Sequence, residues 1–212
     1  MKKSIILTAV LLLILGVFIA GCTSNTSSSS PSPAQTTTSQ PSSVQTTASQ
    51  LSTIDPSHMA LTLSDVPTGF TMKMGTERTS SDVSQTALAD GWKKGYYVEF
   101  DKTNTAIRDY EVLQQTISIY PINNLNQVMT EASTSLLKEA NATITVEQLS
   151  DPKIGDSSKA FRIKSNILGM PVTKFSIYYV KKDVFEGLSM GGTSADYETL
   201  KQLANVSASK II

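Results

Sequence analysis

Few residues in this chain have the types and spacing that chemistry demands. Gly187-Leu188-Ser189-Met190-Gly191 carries the G-x-S-x-G spacing of a nucleophile elbow. That device lifts a serine hydroxyl on a strained strand-to-helix turn and needs a histidine base later in the chain. The single histidine, His58, stands 131 residues upstream of Ser189 instead. Ser-x-x-Lys recurs at Ser135–Lys138, Ser150–Lys153 and Ser207–Lys210. A lysine amine at that spacing can activate a hydroxyl without histidine, but neither S-D-N nor K-T-G accompanies it. Asp101, Thr103, Thr105 and Asp109 are spaced like oxygen ligands of a calcium loop. Ala106 stands where that loop needs glycine, and Val112 where it needs a bidentate glutamate. Asp151, Asp156 and Asp183 would have to be gathered by the fold. One histidine and one cysteine exclude a zinc-type site and a disulfide framework. These residues therefore assign no catalytic group, no metal site and no cofactor.

Binding residues are better represented. Trp92, Tyr96-Tyr97 and Tyr178-Tyr179 sit in stretches that read as strands, where one member of each pair points outward. An outward ring stacks on a sugar or lines a partner patch, which nominates Trp92, Tyr97 and Tyr178 as glycan or partner contacts. The alternative for the same rings is core packing and cross-strand contact. Lys93-Lys94 and Lys181-Lys182 lack the density of a phosphate-tracking stripe. Basic and acidic residues number 18 each, so no nucleic-acid partner is expected. Asn25, Asn141 and Asn205 occupy N-x-[ST] sequons. They become glycosylation sites where the host modifies its surface proteins. His58 reads as an exposed loop residue.

The 212 residues that must position these groups divide into three materials. Lys2 and Lys3 precede an apolar stretch from Ile5 to Ala20. As a helix it would reach roughly 24 Å, short of the ~30 Å hydrocarbon core. It suits the core of a signal peptide, residues 1–21. Ile19-Ala20-Gly21-Cys22 then resembles a lipobox, the signature of bacterial and archaeal lipoproteins. The resemblance implies that Cys22 carries lipid and that the chain beyond it lies outside the cytoplasm, held to the cell membrane. Each buried CH₂ contributes ~0.8 kcal/mol, and two chains hold where one binds reversibly. A lipidated Cys22 leaves no thiol for nucleophilic, metal or redox work.

From Thr23 to Ile54 the chain has 19 Ser or Thr, four Gln and three Pro among 32 residues, with no charge between Lys3 and Asp55. Such a segment cannot bury enough apolar surface to offset chain entropy. Gln35–Val44 and Gln45–Ile54 match at six of ten positions, a repeat too short for a solenoid unit. Residues 22–54 read as a disordered stalk. Its reach is roughly 30 Å as a flexible chain and ~105 Å fully extended.

Residues 55–212 hold 16 basic and 18 acidic groups, net −2. This length folds as one domain without a disulfide. Phe70/Met72/Met74, Tyr96/Val98/Phe100 and Ile117/Ile119 alternate as strands. Ile144/Val146, Phe161/Ile163, Phe175/Ile177/Tyr179 and Val184/Leu188/Met190 follow. Connections between the last four are too short for parallel crossovers, so they should pair antiparallel. Asp82 and Gln85 suggest the start of a short helix closed by Gly91. Leu125, Val128, Met129, Ala132, Leu136, Leu137 and Ala140 form a helical stripe after Pro121. Thr193 and Asp196 suggest a capping box before a closing helix with Tyr197, Leu200, Leu203, Ala204, Ala208 and Ile211 on one face. The order is α+β: one mostly antiparallel sheet of six or seven strands, two longer helices and one short helix.

Leu63-Ser64-Asp65-Val66-Pro67-Thr68-Gly69-Phe70 is similar to the opening segment of lipid-anchored PsbP-like domains. Ile154-Gly155-Asp156-Ser157-Ser158-Lys159-Ala160-Phe161 resembles one of their turns. The resemblance implies an α/β/α sandwich serving as an accessory or binding module, without catalysis. The leading expectation is a surface lipoprotein whose domain binds an envelope protein, a glycan or a small apolar ligand. An envelope hydrolase using a Ser/Lys or carboxylate pair is a second reading. A structural or adhesive surface protein is the third.

Overall fold

The computed structural model describes residues 53–105, 109–167 and 169–212. The expected signal peptide, Cys22, Asn25 and nearly all of the expected stalk lie outside the described residues. Those described fall in one unit, Leu51–Ile212.

Seven strands form one antiparallel sheet. They are β1 (Thr71–Arg78), β2 (Lys94–Asn104), β3 (Asp109–Ile119), β4 (Ile144–Gln148), β5 (Ser157–Ile167), β6 (Met170–Lys181) and β7 (Val184–Gly192). Their spatial order is β1-β2-β3-β7-β6-β5-β4. Two meanders, β1–β3 and β4–β7, thus join through the β3–β7 pair. The helices are α1 (Gln85–Ala89), α2 (Leu125–Leu137) and α3 (Tyr197–Ser209). One-turn 3-10 segments at Pro56–Met59, Ser80–Asp82 and Ile122–Asn124 complete the fold. The expected α+β architecture is the observed one.

Alternation sorts the side chains into two cores. On the first face Val98, Phe100, Leu113, Ile117, Ile177, Leu188 and Met190 pack under Leu200, Leu203, Ala204 and Ala208 of α3, together with Met59 and Leu61 before β1. On the second face Phe161, Ile163, Tyr178 and Val180 pack under Leu125, Val128, Met129 and Leu136 of α2, beside Trp92 and Tyr120. A sheet apolar on both faces needs a layer on each, and α2 and α3 supply them. Asp196 caps α3 by accepting the Thr199 N–H at 2.7 Å. Glu198 in its first turn complements the helix dipole.

Four local expectations change. The short helix is capped by Ser84, whose Oγ accepts the Ala87 N–H at 3.1 Å. Asp82 serves the preceding 3-10 turn, receiving the Thr79 N–H at 2.7 Å. Thr193 takes no part in capping α3; its hydroxyl donates to Asp109 Oδ1 at 2.5 Å. Met72 and Met74 do not enter the core: they are 46% and 48% exposed on the edge strand β1. An irregularity between them breaks the β1–β2 register, so their i, i+2 spacing no longer keeps both on one face. Leu137, the last residue of α2, is exposed, and Ala140 lies beyond the helix, so the stripe packs only as far as Leu136.

Candidate functional site

Cross-strand register carries one polar row over the middle of the second face. Met74 pairs with Glu99, Glu99 with Gln114, Gln114 with Ser189 and Ser189 with Ser176. Glu99, Gln114, Ser189 and Ser176 are buried. Buried polar groups stabilise only when paired, and Glu99, Gln114 and Ser189 are interlocked. Tyr97 Oη donates to Glu99 Oε2 at 2.5 Å, and Gln114 Nε2 donates to the same oxygen at 2.9 Å. Ser189 Oγ donates to Gln114 Oε1 at a long 3.5 Å. Burial raises the Tyr97 phenol far above its ordinary value, and the Glu99 carboxylate adds to the shift. Tyr97 therefore stays a neutral donor. The row extends from strands packed under α2, which touches β4, β6 and β7, toward β2 and the β1 edge. Gly187, Ser189 and Gly191 give it a floor of small residues.

The other nominated rings lie elsewhere. Trp92 and Tyr178 are 9% and 8% exposed and belong to the second core. Trp92 Nε1 donates to Ser118 Oγ at 3.3 Å. The Tyr178 ring stands 5.9 Å from each of Phe161 and Phe185. Their expected outward positions face α2 rather than solvent, so neither ring presents a stacking surface. Tyr97 alone of the three is half-buried at the margin of the polar row.

Asn141 is exposed in the turn before β4, where its Oδ1 accepts the N–H groups of Thr143 and Ile144 at 2.8 and 3.1 Å. Asn205 is exposed on α3, its amide donating to Lys201 O at 2.9 Å. His58 is exposed on the first 3-10 turn.

The nucleophile patterns are dispersed. Ser189 sits mid-strand in β7 beside an amide oxygen, which is no base. Ser207 faces the first core, while Lys210 Nζ donates to Ala60 O and Asp65 Oδ2, each at 2.7 Å. Ser135 and Lys138 are exposed near the end of α2. Lys153 pairs with Asp151 at 2.7 Å. Of the calcium-spaced residues, Asp101 pairs with Lys73 at 3.1 Å, while Asp109 accepts the Thr193 and Ser194 hydroxyls. Among the described residues no group of three or more His, Cys, Asp or Glu is arranged to hold a metal ion.

A second polar cluster lies under α3 on the first face. Glu186 Oε1 accepts from Gln115 Nε2 at 2.8 Å and from Ser207 Oγ at 2.7 Å. Gln115 Oε1 accepts the Leu61 N–H at 2.7 Å. Burial pushes the Glu186 carboxyl up to about 7, against the hydrogen bonds from Ser207 and Gln115. The signal for it was present in the alternation. Glu186 falls between Val184 and Leu188, and Gln115 between Leu113 and Ile117, at inward positions where a polar side chain demands a partner.

No described helix is long and apolar enough to cross a membrane. No protein-family model matches the chain, and no curated protein does. Among solved structures the chain is similar to the extracellular domain of PknH from Mycobacterium tuberculosis. The TM-score is 0.56 at 9% identity, over 73% of this chain and 93% of that one. At this identity the likeness is one of fold.

Proposed function

We propose that this chain is a lipid-anchored cell-surface protein whose domain is a non-catalytic binding or accessory module. Lipid on Cys22 would hold it to the membrane, and residues 23–54 would display residues 55–212 beyond it. The lipobox, the uncharged stalk and a fold shared with an extracellular domain all support this placement. The PsbP-like resemblance belongs to the same reading.

The observation that carries the binding role is the Tyr97–Glu99–Gln114 arrangement. One carboxylate oxygen receives a phenol and an amide, which fixes all three side chains before any partner arrives. The half-buried Tyr97, positioned by the buried Glu99 and Gln114, gives the margin of the row a polar aromatic edge that suits a hydroxyl-rich partner, a glycan of the envelope, better than an apolar ligand. Ser189 has no base beside it, so the hydrolase reading gains nothing from the row.

Two measurements on the full chain test the proposal. Cys22→Ser should move the protein from the membrane fraction to the soluble fraction; retention in the membrane would remove the anchor. An array of envelope glycans should bind the full chain and lose that binding in Glu99→Gln. Binding that survives the substitution would move the site away from the row.

A further inference from the structure

The Ser207 hydroxyl has one hydrogen and two acceptors within reach. Its oxygen already accepts from Gln115 Nε2 at 2.6 Å. It stands 2.7 Å from Glu186 Oε1 and 3.2 Å from the Met59 carbonyl oxygen. Glu186 Oε2 and the Tyr179 hydroxyl, on register-paired residues of β7 and β6, are buried without hydrogen-bond partners. This cluster joins β3, β6, β7 and α3 to Met59–Leu61, the segment that continues from the stalk.

We propose that Glu186 is a proton-operated latch on the N-terminal segment. An ionised carboxylate draws the Ser207 hydrogen to Oε1, because charge-assisted acceptors win over neutral carbonyls. The Met59 carbonyl then loses its donor. A neutral carboxyl releases that hydrogen to the Met59 carbonyl, 3.2 Å from the Ser207 oxygen. The docked segment is therefore held more tightly when Glu186 carries its proton. Burial holds the carboxyl up to about 7, so the latch works across the neutral range.

The surrounding groups leave Glu186 as the member that switches. From β6, Tyr179 is held above its ordinary value by burial and by Glu186. From β3, Gln115 does not titrate. From α3, Lys210 lends positive charge but is engaged with Ala60 and Asp65. Asp65 is held below its ordinary value: burial opposes this, and hydrogen bonds from Lys210 and Thr62 prevail. His58 lies exposed on the same segment.

Amide exchange on the full chain at pH 5.5 and 8.5, corrected for the pH dependence of exchange itself, tests the latch. The Leu61 amide, bound to Gln115, reports the segment, and the Phe161 amide on β5 is the reference. The expected result is that Leu61 protection relative to Phe161 falls about tenfold or more at the higher pH. Glu186→Gln and Ser207→Ala should each abolish that fall, and a His58→Asn background should keep it. An unchanging ratio in the unmodified chain, a reading that needs no variant, overturns the proposal. So does a fall that persists in Glu186→Gln or Ser207→Ala, or one that vanishes with His58.

Discussion

Tyr179 and Glu186 stand opposite each other across β6 and β7, both fully buried, and each keeps one oxygen without a hydrogen-bond partner. Such a pair costs stability whenever Glu186 must ionise in place. Its carboxyl is raised from an ordinary 4.5 to about 7 in the fold. Between those values the unfolded chain has released its proton while the folded chain retains it. Folding then takes up a proton, so stability falls as pH rises through this window. Below it both states are neutral and the cost disappears; above it the cost is complete, a few kcal/mol at about 1.4 kcal/mol per unit. Urea unfolding at pH 4.5 and 8 should show Glu186→Gln gaining on the unmodified protein as pH rises. A stability difference that does not change with pH would contradict the buried-acid account.

Gly155 and Gly169 both adopt positive φ, +65° and +82°, but their surroundings differ. A Cβ at Gly155 would lie 2.3 Å from the Val180 carbonyl oxygen, whereas Gly169 has open space within 4 Å. Gly169→Ala should therefore cost only the left-handed backbone penalty, about 1 kcal/mol. Gly155→Ala adds a steric overlap with backbone that cannot step aside, for a total of about 3 kcal/mol or more. Thermal unfolding of the two variants checks the ranking. Equal costs would mean that the turn before β5 relaxes freely.

The strands and long helices were legible because a residue's periodicity records which side of it is buried. Val98 and Phe100, or Leu200, Leu203 and Ala204, reveal their elements without knowledge of the partner. Which residues lie outside is a property of neighbours, and there the sequence misleads. Tyr178 reads as outward because its neighbour Tyr179 reads as inward, but α2 covers the second face over β6 and buries Tyr178, while Tyr179 is buried in the first core. The alternation of Phe70, Met72 and Met74 marks a strand, but nothing local announces that it is an edge strand with a bulge, where Met72 and Met74 stay exposed. The polar row was only partly visible: Tyr97 was nominated, yet its partner Gln114 arrives from another strand through register. The G-x-S-x-G motif at Ser189 calls for a strand-to-helix turn, whereas Ser189 lies within β7.

Lys210 ties the C-terminal end of α3 to the segment before β1, reaching Ala60 O and Asp65 Oδ2 at 2.7 Å each. Both ends of the ion pair are largely but not wholly sheltered, so its strength lies above that of a free surface pair and below that of a buried one. Lys210→Met keeps most of the stem packing and removes the donors. It should cost about 1–2 kcal/mol. Because Asp65 is held below its ordinary value, this contribution is present above the unfolded carboxylate value and is lost as pH falls through the folded one. Unfolding of Lys210→Met and the unmodified chain should therefore converge toward acid. A gap that stays constant would show that the lysine acts by packing alone.

Tyr97 and Glu99, two residues apart on one face of β2, share a 2.5 Å hydrogen bond at the margin of the polar row. Gln114 binds the same carboxylate oxygen, so removing the phenol leaves Glu99 with a partner, whereas removing the carboxylate orphans two donors. Tyr97→Phe should cost about 1 kcal/mol, and Glu99→Ala about 2–3 kcal/mol. Their double variant should cost less than the sum by about 1 kcal/mol, since the second substitution removes a group already without its partner. Urea unfolding of the three variants closes the cycle. Additive costs would mean that the two side chains do not act as a unit. A coupled cycle would mean that they do, and the loss of glycan binding expected for Glu99→Gln should then be shared by Tyr97→Phe, which removes the phenol hydroxyl from the arrangement.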